Sequence, residues 1–121
     1  QGASLPADCT ALVWGQPLTG RNSDDAPNPK LEPLPVAWVK SWQTSNGKQA
    51  RVFHSTMGSG TDLQSAGLRR LIINAAYWCL EMESAITADR SVDIVGDYEP
   101  RASGFNYLKL GVKPQPVSAF R

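Results

Sequence analysis

The sequence contains few of the residues that build metal or redox centres. It has two cysteines and a single histidine, His54, in 121 residues. The cysteines show neither Cys-x-x-Cys nor zinc-ligand spacing, so the sequence predicts no metal site and no cofactor. Cys79 falls on the apolar side of a helical pattern, where a free thiol is usually a small buried hydrophobe. A disulfide with Cys9 would require their Cα atoms to lie within about 7 Å.

Long apolar runs and an excess of one charge sign are also missing. The chain has twelve basic and eleven acidic residues, which gives a net charge of +1, and the basic residues are scattered along the sequence. This distribution argues against nucleic-acid binding, which needs a basic patch or stripe. No apolar run approaches the roughly 20 residues of a membrane-spanning helix, so no membrane span is predicted. Hydrophobic residues make up 41% of the chain, which is enough for a globular core.

The most informative segment, Pro35 to Glu83, has the pattern of strand, turn, strand, glycine loop and helix. Two apolar runs, Val36 to Trp42 and Ala50 to Met57, flank an Asn-Gly pair, which predicts an antiparallel hairpin. Helical spacing then predicts one helix from Gln64 to Met82, capped at its start by either Asp62 or Ser65. We expect this helix to cover one face of the hairpin with an apolar stripe that includes Leu68, Leu71, Ile72 and Trp78.

The flanking segments are less regular. Residues 21–35 contain four prolines and predict a surface loop. Short strands are predicted at Thr10 to Gln16 and at Val92 to Val95. Residues 84–121 otherwise form an irregular tail that is rich in aromatic residues, and we expect this tail to pack along another surface.

Several phrases of the sequence resemble one protein family. PVAW, ARVF, TMGSGTDL and GLRRLIINAAYW, with VWGQPLTG upstream and VDIVGDYEPRASGFNYLKLGVKP downstream, are similar to the C-terminal part of the ThuA-like, or trehalose-utilisation, proteins. The resemblance implies a class I glutamine-amidotransferase-like fold. The expected class is α/β, a partial flavodoxin-like sandwich in which a β-hairpin precedes one long helix and an irregular tail. Residues 1–121 would be the C-terminal part of a single domain, and the subgroup resembled is exported or periplasmic and bacterial.

The length of the chain bears on this resemblance. A doubly wound sheet of about five parallel strands needs roughly 150 residues, and this chain has 121. We therefore expect an upstream half of the domain, or a partner chain, to supply the remaining strands. The chain alone should then expose a strand edge or an apolar face, and should associate or have low stability.

The candidate site is the glycine loop between strand and helix. Gly58, Ser59, Gly60, Thr61 and Asp62 are the predicted substrate-binding residues, since amide donors at a helix start face the strand ends there. The family often has histidine after this first glycine, where this chain has serine. His54 is then the candidate catalytic residue, although a lone strand histidine is more often structural. No Gly-x-Cys-x-Gly elbow occurs, which excludes a Cys-His-Glu glutaminase mechanism within this chain.

Four tryptophans suggest contacts to a sugar. Trp38 and Trp42 share a strand face, and Trp78 lies on the helix, so we expect at least two of these to form the core between sheet and helix. Trp14 and Trp42, near strand ends, are the candidates for exposed platforms.

Two functions remain open at this point. One is a ThuA-like role in carbohydrate utilisation, in which the chain handles trehalose, a related disaccharide or an oxidised sugar at the glycine loop. The other is a non-catalytic binding or scaffold module that keeps the fold without the chemistry. The retained glycine loop favours the first, and the missing histidine favours the second.

Overall fold

Over the residues that the structure describes, the chain forms a mixed α/β structure of one antiparallel sheet and one α-helix. The computed structural model describes residues 4–100, 111 and 113–120. Strands β1 (Cys9–Gly15), β2 (Leu34–Gln43) and β3 (Gln49–Ser55) form a sheet in the order β1-β2-β3, followed by helix α1 (Ala66–Cys79). Single turns of 3₁₀-helix occur at Asp62–Gln64, Glu83–Ala85 and Val117–Phe120. No helix in the described ranges is long and apolar enough to cross a membrane.

The predicted hairpin is confirmed. β2 and β3 pair antiparallel in an unbroken register from Ala37 opposite Ser55 to Gln43 opposite Gln49. In the connecting turn Gly47 adopts a φ of 79°, a conformation that glycine reaches without steric cost. The Thr44 amide donates to the Lys48 carbonyl at 2.8 Å and closes the loop.

The first strand pairs less regularly. β1 runs antiparallel to β2, but Leu12 on β1 and Val36 on β2 have no partner in the register. Each unpaired residue is a bulge, and a bulge changes which residues share a face. Leu12 and Val13 consequently both line clefts beside α1, while Trp14 lies on the same side as Ala11 and Cys9.

The predicted helix is also confirmed, with shorter bounds. Its start is capped by Ser65, whose hydroxyl accepts a hydrogen bond from the Leu68 amide at 3.4 Å. Its end is set by Glu81, which adopts a φ of 60°, and by the Met82 amide, which donates to the Tyr77 carbonyl. This is a Schellman ending with glutamate at the position that usually holds glycine. Because glutamate is a good helix former, the sequence pattern placed the end at Met82.

The core lies between α1 and one face of the sheet. Its buried hydrophobic residues are Ala37, Leu68, Ala75 and Val92, and no large side chain in the described part of the chain is fully buried. Arg51 joins the two layers, since its guanidinium lies 5.1 Å from the centre of the Trp78 ring on α1. The helix therefore covers the sheet as predicted, over a small core.

The opposite side of the sheet has no helix over it among the described residues. This open face follows from the register and consists of the side chains that alternate away from α1: Cys9, Ala11, Trp14, Trp38, Lys40, Trp42, Ala50, Val52 and His54. The expectation that at least two of Trp38, Trp42 and Trp78 form the core between sheet and helix is wrong, because Trp38 and Trp42 lie on the open face. Unbroken pairing puts Trp38 beside His54, on the side away from Arg51 and the helix.

Two further sequence expectations are corrected. Residues Val92 to Val95 form no strand; Val92 is instead buried, and its carbonyl accepts a 2.6 Å hydrogen bond from the Arg69 side chain. Cys79 is exposed rather than buried, because α1 presents it beside the edge of β3 rather than beneath the sheet. Both Cys9 and Cys79 are free thiols. The aromatic part of the tail at residues 101–110 lies outside the described residues.

Candidate functional site

The glycine loop is held together by one carboxylate. Oδ2 of Asp62 accepts hydrogen bonds from the amides of Gly58 and Ser59, each at 3.0 Å. These two donors hold the pKa of Asp62 below its ordinary value of 3.8. They are also the amides that the sequence pattern assigned to a bound ligand. Within this chain, then, an internal side chain already satisfies them.

Side-chain hydroxyls of the loop are paired in the same way. The hydroxyls of Ser59 and Thr61 lie 3.1 Å apart, and the Gly60 carbonyl accepts a 2.6 Å hydrogen bond from the Tyr98 hydroxyl. A 3₁₀ turn, Asp62–Gln64, separates the loop from α1. The helix dipole consequently points at Ser65 rather than at the glycines.

One part of the loop remains open. Gly58 has a φ of 142°, and a Cβ atom added there would meet no heavy atom of the described residues within 4 Å. The space above Gly58 is therefore free for a neighbouring group. Any L-residue placed at this position would strain the backbone, which makes Gly58 itself a poor site for testing the loop by substitution.

His54 lies on the open face near the end of β3, and it is exposed. Its ring stacks on Trp38, with ring centres 4.9 Å apart and planes inclined by 19°. No hydrogen bond joins His54 to the loop within the described part of the structure. The five loop residues are thus brought together as a closed turn, while the predicted catalytic histidine belongs to a different feature, the aromatic pair on the sheet.

Three tryptophans, Trp14, Trp38 and Trp42, lie on the open face rather than in the core. Trp14 and Trp42 are 60% and 54% exposed, which confirms their expected exposure. Trp38 lies between them on the same open face. The signal was present in the sequence, because a hairpin symmetric about Asn46 pairs Trp38 with His54, and a polar partner indicates the outer face.

Trp14 forms part of a cleft of about 570 Å³ at the β1 edge of the open face. The walls come from β1, the segment before it, the start of β2 and the segment before β2, and include Ser4, Cys9, Glu32 and Pro35. This volume is in the range of small-ligand sites. The lining is largely apolar, with the Glu32 carboxylate and the Ser4 hydroxyl as polar groups.

The charge of the open face is low. Lys40 is its one lysine, and its Nζ lies 2.7 Å from the Asp8 carboxylate. This ion pair, mainly through its hydrogen bond, holds the pKa of Asp8 below and that of Lys40 above the ordinary values. Among the described residues no group of three or more histidine, cysteine or carboxylate side chains is placed to bind a metal ion.

Comparison of the whole chain with protein-family models, with curated proteins and with solved structures gives no match.

Proposed function

We propose that this chain is a non-catalytic binding module whose ligand or partner contacts the open face of the sheet. The observation that carries the proposal is the stacking of Trp38 on His54 on that face. The one imidazole of the sequence is used to extend an aromatic surface, at 4.9 Å from the indole, rather than to approach the glycine loop. Flat, exposed aromatic rings are typical of binding surfaces.

The geometry of the loop supports the same proposal. A catalytic or anion-binding loop needs amides that point at the ligand, and Asp62 already accepts from those of Gly58 and Ser59. A substrate carboxylate or phosphate would have to displace the Asp62 carboxylate and would meet its negative charge. The loop accordingly serves to turn the chain from β3 towards α1.

The finer fold remains a proposal as well. We infer that the sheet and α1 form the C-terminal part of a ThuA-like domain with a class I glutamine-amidotransferase-like, partly flavodoxin-like, sandwich. The order of β3, glycine loop and α1 supports this, since that order recurs in doubly wound folds. The described sheet is antiparallel throughout, so parallel strands would come from upstream residues or from a partner chain.

Nuclear magnetic resonance (NMR) tests the binding function directly. The chain is labelled with ¹⁵N and titrated with disaccharides, their oxidised forms and longer oligosaccharides, while product formation is followed by one-dimensional spectra. We expect shift changes at the open face, including the indole signals of Trp38 and Trp42, and no turnover. The proposal would be overturned if the chain turned over a sugar, His54→Ala abolished that turnover, and the shift changes centred on the glycine loop.

A second candidate is sugar handling at the loop itself, as the resemblance implies. The open space above Gly58 favours it, because a ring hydroxyl could approach the backbone there without obstruction. Ser59→Ala and Thr61→Ala test this function better than any change at Gly58. If both variants weaken disaccharide binding while Trp38→Ala leaves it unchanged, the loop is the site and the open face is not.

A further inference from the structure

The open face carries three of the four tryptophans of the chain. We infer that it is a platform for an uncharged oligosaccharide, whose rings stack on Trp14, Trp38 and Trp42. The inference rests on the proposed binding function and names its ligand class. Sugar rings have apolar faces and polar rims, so they pack on an indole while their hydroxyls stay hydrogen-bonded to water or to nearby polar groups.

The spacing of the tryptophans fits a ligand of several rings. Trp38 and Trp42 are four residues apart on one strand and on one face, which separates them by about 13 Å along the strand. Trp14 lies near the opposite end of the face, where β1 pairs with the start of β2. A single ring cannot contact all three indoles, whereas a short chain of sugars that follows β2 can.

The Trp14 cleft supplies a concave end to this platform. Its volume, about 570 Å³, has room for a sugar ring beside the indole. The Glu32 carboxylate can accept hydrogen bonds from ring hydroxyls, and the Ser4 hydroxyl can donate or accept them. We therefore place the terminal sugar of the ligand in this cleft and the following rings over Trp38 and Trp42.

The low charge of the open face favours a neutral ligand over a polyanion. Stacking platforms that bind single-stranded nucleic acid combine aromatic rings with a basic groove. Among the described residues of this face Lys40 is the only lysine, and Asp8 neutralises it at 2.7 Å. The face therefore favours an uncharged ligand.

The same ion pair disfavours a second copy of the chain as the occupant. A flat interface between two open faces would remove the Lys40 and Asp8 charges from water, and that desolvation is costly. Asp8 and Lys40 side chains keep 58% and 26% of their exposure in the free chain. Sugar hydroxyls can hydrogen-bond to both groups and so replace the water that they displace.

Isothermal titration calorimetry with cellohexaose and maltohexaose tests the inference on the full 121-residue chain. We expect binding of at least one of them, weakened about tenfold by Trp38→Ala and by Trp14→Ala, with Trp38→Phe retaining most of the affinity. The matched control is Leu80→Ala, which removes an exposed apolar side chain, 68% accessible, away from the sheet. Affinity should change less than twofold between about 0.05 and about 0.5 M NaCl, because no ionic contact is involved.

Circular dichroism of each variant shows whether it is folded, and a Phe variant replaces any Ala variant that is not. The inference is overturned if neither hexasaccharide binds the folded chain, or if the tryptophan variants bind as well as Leu80→Ala. It is equally overturned if sedimentation shows a dimer that Trp38→Ala dissociates, since the face is then a self-interface. Shift changes at the open face with a different ligand would leave the proposed binding function standing while this ligand class fails.

Discussion

Asp62 is the residue with the clearest single role in the chain. Its carboxylate closes the glycine loop through two amides, and they keep its pKa below the ordinary 3.8. A carboxyl whose pKa is lower in the folded than in the unfolded state stabilises the fold at pH values above the unfolded value. That contribution is lost as the pH falls through the folded value.

We therefore predict that Asp62→Asn lowers the melting temperature near neutral pH and has a smaller effect at acid pH, as the pH falls through the lowered pKa of the parent carboxyl in the folded state. Thermal melts followed by circular dichroism at pH 7, 5 and 3 measure this. Asp24→Asn, in an exposed loop, is the control and should leave the melt unchanged at each pH. A parallel loss for Asp62→Asn at every pH would show that its hydrogen bonds do not depend on ionisation.

Ser65 decides where α1 begins. Its hydroxyl accepts from the Leu68 amide, and an N-cap serine replaced by alanine typically costs about 1 kcal/mol. We predict this loss for Ser65→Ala in urea unfolding. Ser45→Ala, in the exposed hairpin turn, should change stability by less than about 0.5 kcal/mol. Equal effects of the two changes would mean that the cap contributes nothing.

The arginines of α1 show why side-chain roles are hard to assign from a helical pattern. The Arg69 guanidinium donates to the carbonyls of Leu63, Gln64 and Val92, all of which lie outside α1. Arg70 likewise donates to the Arg90 carbonyl. Helical spacing gives the direction of these side chains, but not which non-helical carbonyls the chain later brings to them.

At the scale of elements, Arg51 links the sheet to the helix. Its Nη1 donates to the Trp78 carbonyl at 2.6 Å and pairs with the Glu83 carboxylate, and its guanidinium lies over the Trp78 ring. The same carbonyl accepts the Glu81 amide at 3.1 Å, so Arg51 adds a side-chain donor to the Schellman ending of α1. Arg51 therefore closes the end of α1 onto β3.

We predict that Arg51→Ala destabilises the chain by about 1 to 3 kcal/mol, because it removes a charged hydrogen bond and a cation–π contact together. Arg51→Lys should recover part of this, since lysine keeps the charge but loses the planar contact. Urea unfolding measures both, with the loop variant Arg21→Ala as the control. Identical values for the alanine and lysine variants would show that geometry at this position is unimportant.

The hairpin turn offers a second test at this scale. Gly47 has a φ of 79°, and no atom of the described part of the chain lies within 4 Å of where its Cβ would stand. Gly47→Ala should therefore cost about 1 kcal/mol through backbone strain alone, with no clash to relieve. The comparison variant is Gly67→Ala at the start of α1, where alanine is favoured and φ is not positive, so stability should be unchanged or higher. Equal losses would contradict the strain argument.

For the whole molecule, the small core implies low stability. Only four hydrophobic side chains of the described residues are buried, while twelve large hydrophobic residues are exposed. We predict that the isolated chain unfolds with a free energy below about 5 kcal/mol, the lower end of the range for natural domains. Urea denaturation followed by tryptophan fluorescence tests this, and sedimentation gives the oligomeric state. A monomer with a sharp transition at high temperature would contradict both this prediction and the expected need for a further half or partner.

Sequence reasoning was most successful where the controlling interactions are local. The Asn-Gly turn between two apolar runs specified the hairpin, and its symmetry fixed which residues pair. Helical spacing specified α1 and the burial of Leu68 on it. These features depend on interactions between residues close together in the chain, so the sequence pattern predicts them.

Tertiary structure alone decided what lies on each side of the sheet and which polar groups remain free. A bulge at Leu12 turns Trp14 to the open face, and the helix covers the side of Ala37 rather than that of Trp38. The Asp62 carboxylate accepts hydrogen bonds from the Gly58 and Ser59 amides, which are the donors of the predicted site. The alternation of side chains along a strand does not show which of its two faces will be covered. Nor does the sequence of a loop show which carboxylate will accept from its amides. Both are decided by how the folded chain packs.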